Sequence, residues 1–73
     1  MIRCKFRVSS VEHHEGGNRS IKLMTVYGDS PENKAFFAST PSGAITVSLV
    51  KPEVAAQFEP GAEFFVDFIE APK

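Results

Sequence analysis

The sequence predicts a mainly β fold, a small antiparallel barrel of four to five strands with one or two short helical turns. Three observations predict it. Ile2, Cys4, Phe6 and Val8 alternate with Arg3, Lys5 and Arg7, the period of a strand with one buried and one wet face. Two Pro/Gly turns, Ser39-Thr40-Pro41-Ser42-Gly43 and Phe58-Glu59-Pro60-Gly61, each launch a short apolar run, with proline fixing φ and glycine admitting φ > 0. No segment is long enough for a crossover between parallel strands, so the sheet must be mainly antiparallel.

The first strand opens at Ile2. Its alternation slips after Ser9-Ser10, where Val11 falls on the odd positions, so a bulge or the strand's end is expected there. Residues 12–19 hold no apolar side chain and contain Gly16-Gly17-Asn18, which predicts a hairpin connection and the longest mobile loop of the chain. Ser20 to Tyr27 reads as the return strand, with Ile21, Leu23, Thr25 and Tyr27 on one side and Lys22, Met24 and Val26 on the other. Both faces are partly apolar, which suits a central strand or a closed barrel.

Ser30 is placed as an N-cap and Pro31 as the first helical residue of a single turn that presents Phe36 and Phe37. Pro41-Ser42-Gly43 then turns the chain into Ala44 to Val50, a strand by its β-branched composition and its period. Lys51 to Phe58 fits one or two helical turns, opened by Pro52, with Val54, Ala55 and Phe58 on one face and Pro60-Gly61 as the stop. The last strand, Glu63 to Ile69, points Phe64, Val66 and Phe68 inward and Glu63, Phe65, Asp67 and Ile69 outward. Exposed sheet edges invite self-pairing, so closure into an OB-like or SH3-like barrel is expected.

Length bounds the chain to a single domain, residues 1–73, which buries only about 60% of the surface its unfolded form exposes. Cys4 is the only cysteine. It can form no internal disulfide and no zinc site, and its inward register makes it a small core hydrophobe, in keeping with a reducing compartment. No targeting segment is expected and no apolar run approaches a membrane span, so the expectation is a soluble, cytoplasmic protein. Net charge is −1, but five cations face two acids over residues 1–28 (+3) and three face seven over residues 29–73 (−4). These are either two solvated faces that neutralise each other across the fold, or a basic face on the first hairpin that meets an acidic partner or phosphates.

Glu12-His13-His14-Glu15 offers imidazoles, but adjacent strand residues point to opposite faces and a single ion cannot take both; no metal and no cofactor is expected. Nor does any cluster have the spacing that catalysis or nucleotide binding needs, so the chain reads as a non-enzyme. Two binding surfaces are candidates. The basic face comprises Arg3, Lys5, Arg7, Arg19 and Lys22. Its neighbouring outward positions are Met24 and Val26 rather than the aromatics on which single-stranded nucleic acid stacks. The apolar patch comprises Phe36, Phe65 and Ile69, of the kind that marks a protein interface.

Glu32-Asn33-Lys34-Ala35-Phe36-Phe37, Thr40-Pro41-Ser42-Gly43 and Phe58-Glu59-Pro60-Gly61-Ala62-Glu63-Phe64-Phe65-Val66-Asp67-Phe68 resemble a family of small uncharacterised tailed-bacteriophage proteins with an EN-x-x-F, TPSG and F-x-PG-x-x-F-F-VDF pattern. The basic opening strand and the Lys22 to Tyr27 segment look similar too, so the likeness covers nearly the whole chain. It implies a phage accessory protein acting in the cytoplasm of the infected bacterium, and it brings no catalytic residues. The expected function is docking on a host or phage protein, with the host transcription or defence machinery as the partner by analogy, and with homo-oligomerisation compatible with the sheet edges. The alternative is an OB-like single-stranded nucleic-acid binder using the basic face. No membrane partner is expected.

Overall fold

The computed structural model describes residues 2–28, 30–38 and 42–73. They form a four-stranded antiparallel sheet with two short helices: β1 (Ile2–His13), β2 (Arg19–Thr25), α1 (Pro31–Phe36), β3 (Ala44–Val50), α2 (Pro52–Ala55) and β4 (Glu63–Phe68). Spatial order is β3-β2-β1-β4. The long first strand is the spine, pairing β2 on one side and β4 on the other.

Cys4, Phe6 and Val8 are buried on one face of β1, with Ile21 and Leu23 of β2 beside them. Phe64 and Val66 of β4, Ile45 of β3, and Phe37, Ala55 and Phe58 from the connecting segments complete this inner layer. The expected bulge lies at Ser9: Val8 pairs with Leu23, but Ser10 pairs with Lys22. That extra residue reverses the alternation and turns Val11 onto the inner face opposite Ile21.

Three local expectations are corrected. The anticipated long loop at 12–19 is a tight hairpin, because backbone pairing continues to His13 opposite Arg19. A 3₁₀ turn over Glu15–Gly17 closes it, with Gly16 and Gly17 at φ 75° and 82°, and the His14 N–H bonds the Asn18 carbonyl at 2.9 Å. Strand formation here needs only backbone partners, so polar side chains do not prevent it. Tyr27, expected to continue β2 on the side of Ile21, Leu23 and Thr25, is exposed, because β2 ends at Thr25 and the chain turns away. Val54 is likewise exposed, since a single turn of α2 has room to press only Ala55 on the sheet.

The departure of β2 after Thr25 leaves the Lys5 N–H without a backbone partner on that side, and Asn33 of α1 takes that place. Its carboxamide oxygen accepts from the Lys5 N–H at 2.6 Å while its NH₂ donates to the Lys5 and Val26 carbonyls, each at 3.0 Å. Ser30 caps α1 as expected, its hydroxyl accepting from the Asn33 N–H at 3.3 Å, with Pro31 in the first turn. The expected turn at Ser39-Thr40-Pro41 falls outside the described residues. β3 has the bounds the sequence predicts, and a second bulge interrupts it: Arg19 pairs with Val50 and Ile21 with Val47, with Leu49 at φ 57°.

Among the described residues the sheet does not close into the expected barrel; β3 and β4 are unpaired edges. The reason is strand number. Four strands at about 4.8 Å spacing, tilted by about 40°, would make a ring roughly 8 Å across, narrower than the ~10 Å at which two sheets pack.

Candidate interaction surfaces

The outer face of the sheet is built by the odd residues of β1 and β4, which the antiparallel register sets side by side as Arg3–Asp67, Lys5–Phe65 and Arg7–Glu63. Each row answers the other. Arg3 grips Asp67 with two bonds, Nε to Oδ1 at 2.6 Å and Nη2 to Oδ2 at 2.9 Å. Arg7 donates to Glu63 Oε2 through both Nε and Nη2, and Lys5 Nζ lies 3.2 Å from Glu63 Oε1. Hydrogen bonds from Arg7 and then Lys5 hold the Glu63 carboxyl below the usual carboxylate range, and those from Arg3 do the same for Asp67.

Phe65 lies within this charge ladder. The Arg3 guanidinium stands 4.8 Å from its ring centre and Lys5 Nζ 5.7 Å. Sequence reasoning set Met24 and Val26 beside these cations; the aromatic neighbour comes instead from β4, and Val26 is buried. Such pairing cannot be read from a single strand, because it depends on β4 joining β1.

The basic face is thus only partly assembled. Arg3, Lys5 and Arg7 share one row, and Lys22 lies on the same side beyond the Ser9 bulge, opposite Ser10 and Thr46. Arg19 has the parity of Ile21 and Leu23 and belongs to the other side. There its guanidinium caps the hairpin by donating to the carbonyls of Gly17 and Asn18, beside Pro52 and Phe58.

The apolar patch is divided as well. Phe65 is on the outer face, whereas Phe36 stacks on Phe68, 5.9 Å between ring centres, and meets Phe37 edge-on at 4.9 Å. Ile69 lies with Ile2 and Phe68 at the end of the sheet. Together Ile2 (57% exposed), Phe36 (40%), Phe68 (48%) and Ile69 (74%) form an apolar surface that sequence reasoning found only in part. A second apolar feature was not foreseen. A cleft of about 400 Å³ lies between β4 and the inner-face residues Leu23, Ile45, Val47 and Phe58, with Phe64 to Asp67 forming its β4 wall.

Cys4 is fully buried, and desolvation pushes its thiol pKa up, as for a packed core side chain rather than a nucleophile. His14 Nε2 is 2.7 Å from Ser20 Oγ and 3.5 Å from Glu12 Oε1. Among the described residues no three His, Cys, Asp or Glu gather into a metal-binding group, and no helix is long and apolar enough to cross a membrane. Comparison with protein-family models, with curated proteins and with solved structures finds no match to this chain.

Proposed function

We propose that this chain is a non-enzymatic interaction module, an accessory protein of a tailed bacteriophage that acts in the cytoplasm of the infected cell by docking on a host or phage protein. One observation carries the reading. The outward cations Arg3, Lys5 and Arg7 are already engaged by Glu63 and Asp67, while Ile2, Phe36, Phe68 and Ile69 remain exposed. A surface that has neutralised its charge and left its apolar side chains bare favours a protein partner over a phosphate backbone.

The phage origin rests on the sequence resemblance, carried chiefly by the Glu32 to Phe37, Thr40 to Gly43 and Phe58 to Phe68 segments. Single-stranded nucleic acid is the second reading, favoured by Phe65 lying between Arg3 and Lys5 on one face. The test is capture of a partner from infected-cell lysate, its purification, and titration against the wild type and the double variant Phe68→Ser, Ile69→Ser. A loss of tenfold or more in affinity for the double variant supports docking through the apolar surface. Unchanged affinity removes it. Salt-titrated binding of single-stranded DNA and RNA decides the other reading, which fails at affinities weaker than about 10⁻⁴ M in low salt.

A further inference from the structure

The two free edges of the sheet differ. β3 is blunted by its bulge at Leu49, which twists the edge away from further pairing. β4 has six residues with neither bulge nor proline. Its hydrogen-bonding polarity follows from β1. Val8 turns both backbone groups toward the β4 side, donating to the Ala62 carbonyl at 2.9 Å and accepting from Gly61 at 2.8 Å. Lys5 turns both of its own away, to Asn33 and Val26. Backbone direction alternates along an antiparallel strand, so Phe6 and Cys4 face β4, their partners Phe64 and Val66 face β1, and Phe65 and Asp67 present N–H and C=O at the free edge.

The surface area leaves room for an interface of standard size. The chain exposes 5287 Å². A folded monomer of 8.0 kDa exposes about 4450 Å², so the surplus is roughly 800 Å², the area one partner contributes to a standard protein interface. The Cα radius of gyration, 13.6 Å, also exceeds the ~11 Å of a compact chain of this length.

We propose that β4 is a dimerisation edge: two copies of this chain pair their β4 strands antiparallel about a two-fold axis at Val66, joining two four-stranded sheets into one of eight. The inference goes beyond the docking reading and rests on it only for the premise that the surplus apolar surface is an interface. Charge selects the register. Side chains of like face must oppose, and keeping five of the six β4 residues paired leaves Phe65 or Val66 on the axis. With Phe65 there, Glu63 opposes the partner's Asp67, which sets like charges together. With Val66 on the axis, Phe64 opposes the partner's Phe68, Val66 the partner's Val66, and Phe65 the partner's Asp67. An apolar ladder then continues the inner face beside the Leu23, Ile45 and Val47 cleft.

Light scattering coupled to size exclusion, from low micromolar concentration upward, should give twice the 8.0 kDa chain mass. Val66→Cys in a Cys4→Ala background should give a disulfide-linked dimer on oxidation, because Val66 falls at a non-hydrogen-bonded pair with Cα atoms about 4.5 Å apart. Phe64→Cys in the same background, displaced from the axis, should not. Phe65→Glu gains Lys5 as a cross-strand neighbour in its own chain but meets the partner's Asp67, so it should fold and run as a monomer. Phe65→Lys should remain dimeric. A wild-type mass of 8.0 kDa at every concentration overturns the proposal, as does equal cross-linking at Phe64 and Val66 or a dimer indifferent to Phe65→Glu. A monomeric wild type that still binds a captured partner through Phe68 and Ile69 removes the dimer alone. A dimer that binds no other protein removes the docking reading and leaves the dimer.

Discussion

Asn33 carries a peptide-like amide on its side chain, and the fold uses it as a strand residue would be used. Its three hydrogen bonds to Lys5 and Val26 are made where β2 has already left the sheet, in a position 1% exposed. Truncation leaves the Lys5 N–H and the Val26 carbonyl without a partner in a site closed to water, and takes from the Lys5 carbonyl the second of its two donors, the Val26 N–H being the other. Asn33→Ala should therefore cost about 3 kcal/mol by urea denaturation, since each orphaned buried group costs roughly 1–3 kcal/mol before relaxation. Asn33→Ser, too short to span the gap, should cost nearly as much. Thr25 presents the opposite situation: its hydroxyl is buried and, among the described residues, has no hydrogen-bond partner. Thr25→Val replaces that hydroxyl with a methyl of similar volume and should raise stability by about 1 kcal/mol, seen as a higher urea midpoint with unchanged slope. Neither role was visible in sequence. Asn33 read as one polar residue of a helical turn, and Thr25 as one member of an alternating row.

Elements whose logic is local were legible, and those that depend on a partner strand were not. β3 follows from its own β-branched alternation, the Ser30 cap from Ser-Pro chemistry, and the Ser9 bulge from a slipped period within β1. The hairpin was misread because its strands are stabilised by each other's backbones rather than by apolar side chains. Leu49 was read as an ordinary strand residue, yet it occupies the left-handed region, where an L side chain costs roughly 1–2 kcal/mol, and it is 66% exposed. Leu49→Gly should relieve that strain with little lost burial, and should stabilise by about 0.5–1 kcal/mol after the entropy of the more flexible unfolded chain is subtracted. The ladder between β1 and β4 makes a further prediction. Glu63 and Asp67 have carboxyl pKa values depressed in the folded state, so their contribution is fully present above the ordinary range of about pH 4–5 and is lost as pH falls through the lowered values. Stability should decline in acid below that range. Glu63→Gln with Asp67→Asn should flatten the decline, and molar salt should weaken it, because the pairs are open to solvent.

At the scale of the whole molecule, the described residues do not bear out closure into a barrel: their four strands leave the Phe-rich inner layer as a single sheet face, and the molecule measures 16 Å in its thinnest extent. The candidate site was legible to the same degree. The outward cations and outward Phe65 were each readable along their own strands, but their juxtaposition with two acids belongs to the β1–β4 register. That register sets how the molecule meets polyanions. Three cations against two acids leave the ladder with a charge of only +1, and the net charge of the chain is −1. Glu63→Gln with Asp67→Asn would bring the chain to +1 and the ladder to +3, with Phe65 available for stacking. If the acids mask this face, the double variant should bind single-stranded DNA at least tenfold more tightly than wild type at low salt. Its log K against log salt should also steepen by about 1.4, the effect of two added phosphate contacts at roughly 0.7 each. Wild-type binding already as tight and as salt-dependent as the variant's would mean that the ladder masks nothing, and the single-strand reading would then displace the protein-docking one. Two flat titrations would instead confine Arg3, Lys5 and Arg7 to holding β4 against β1, leaving the apolar surfaces as the means of recognition.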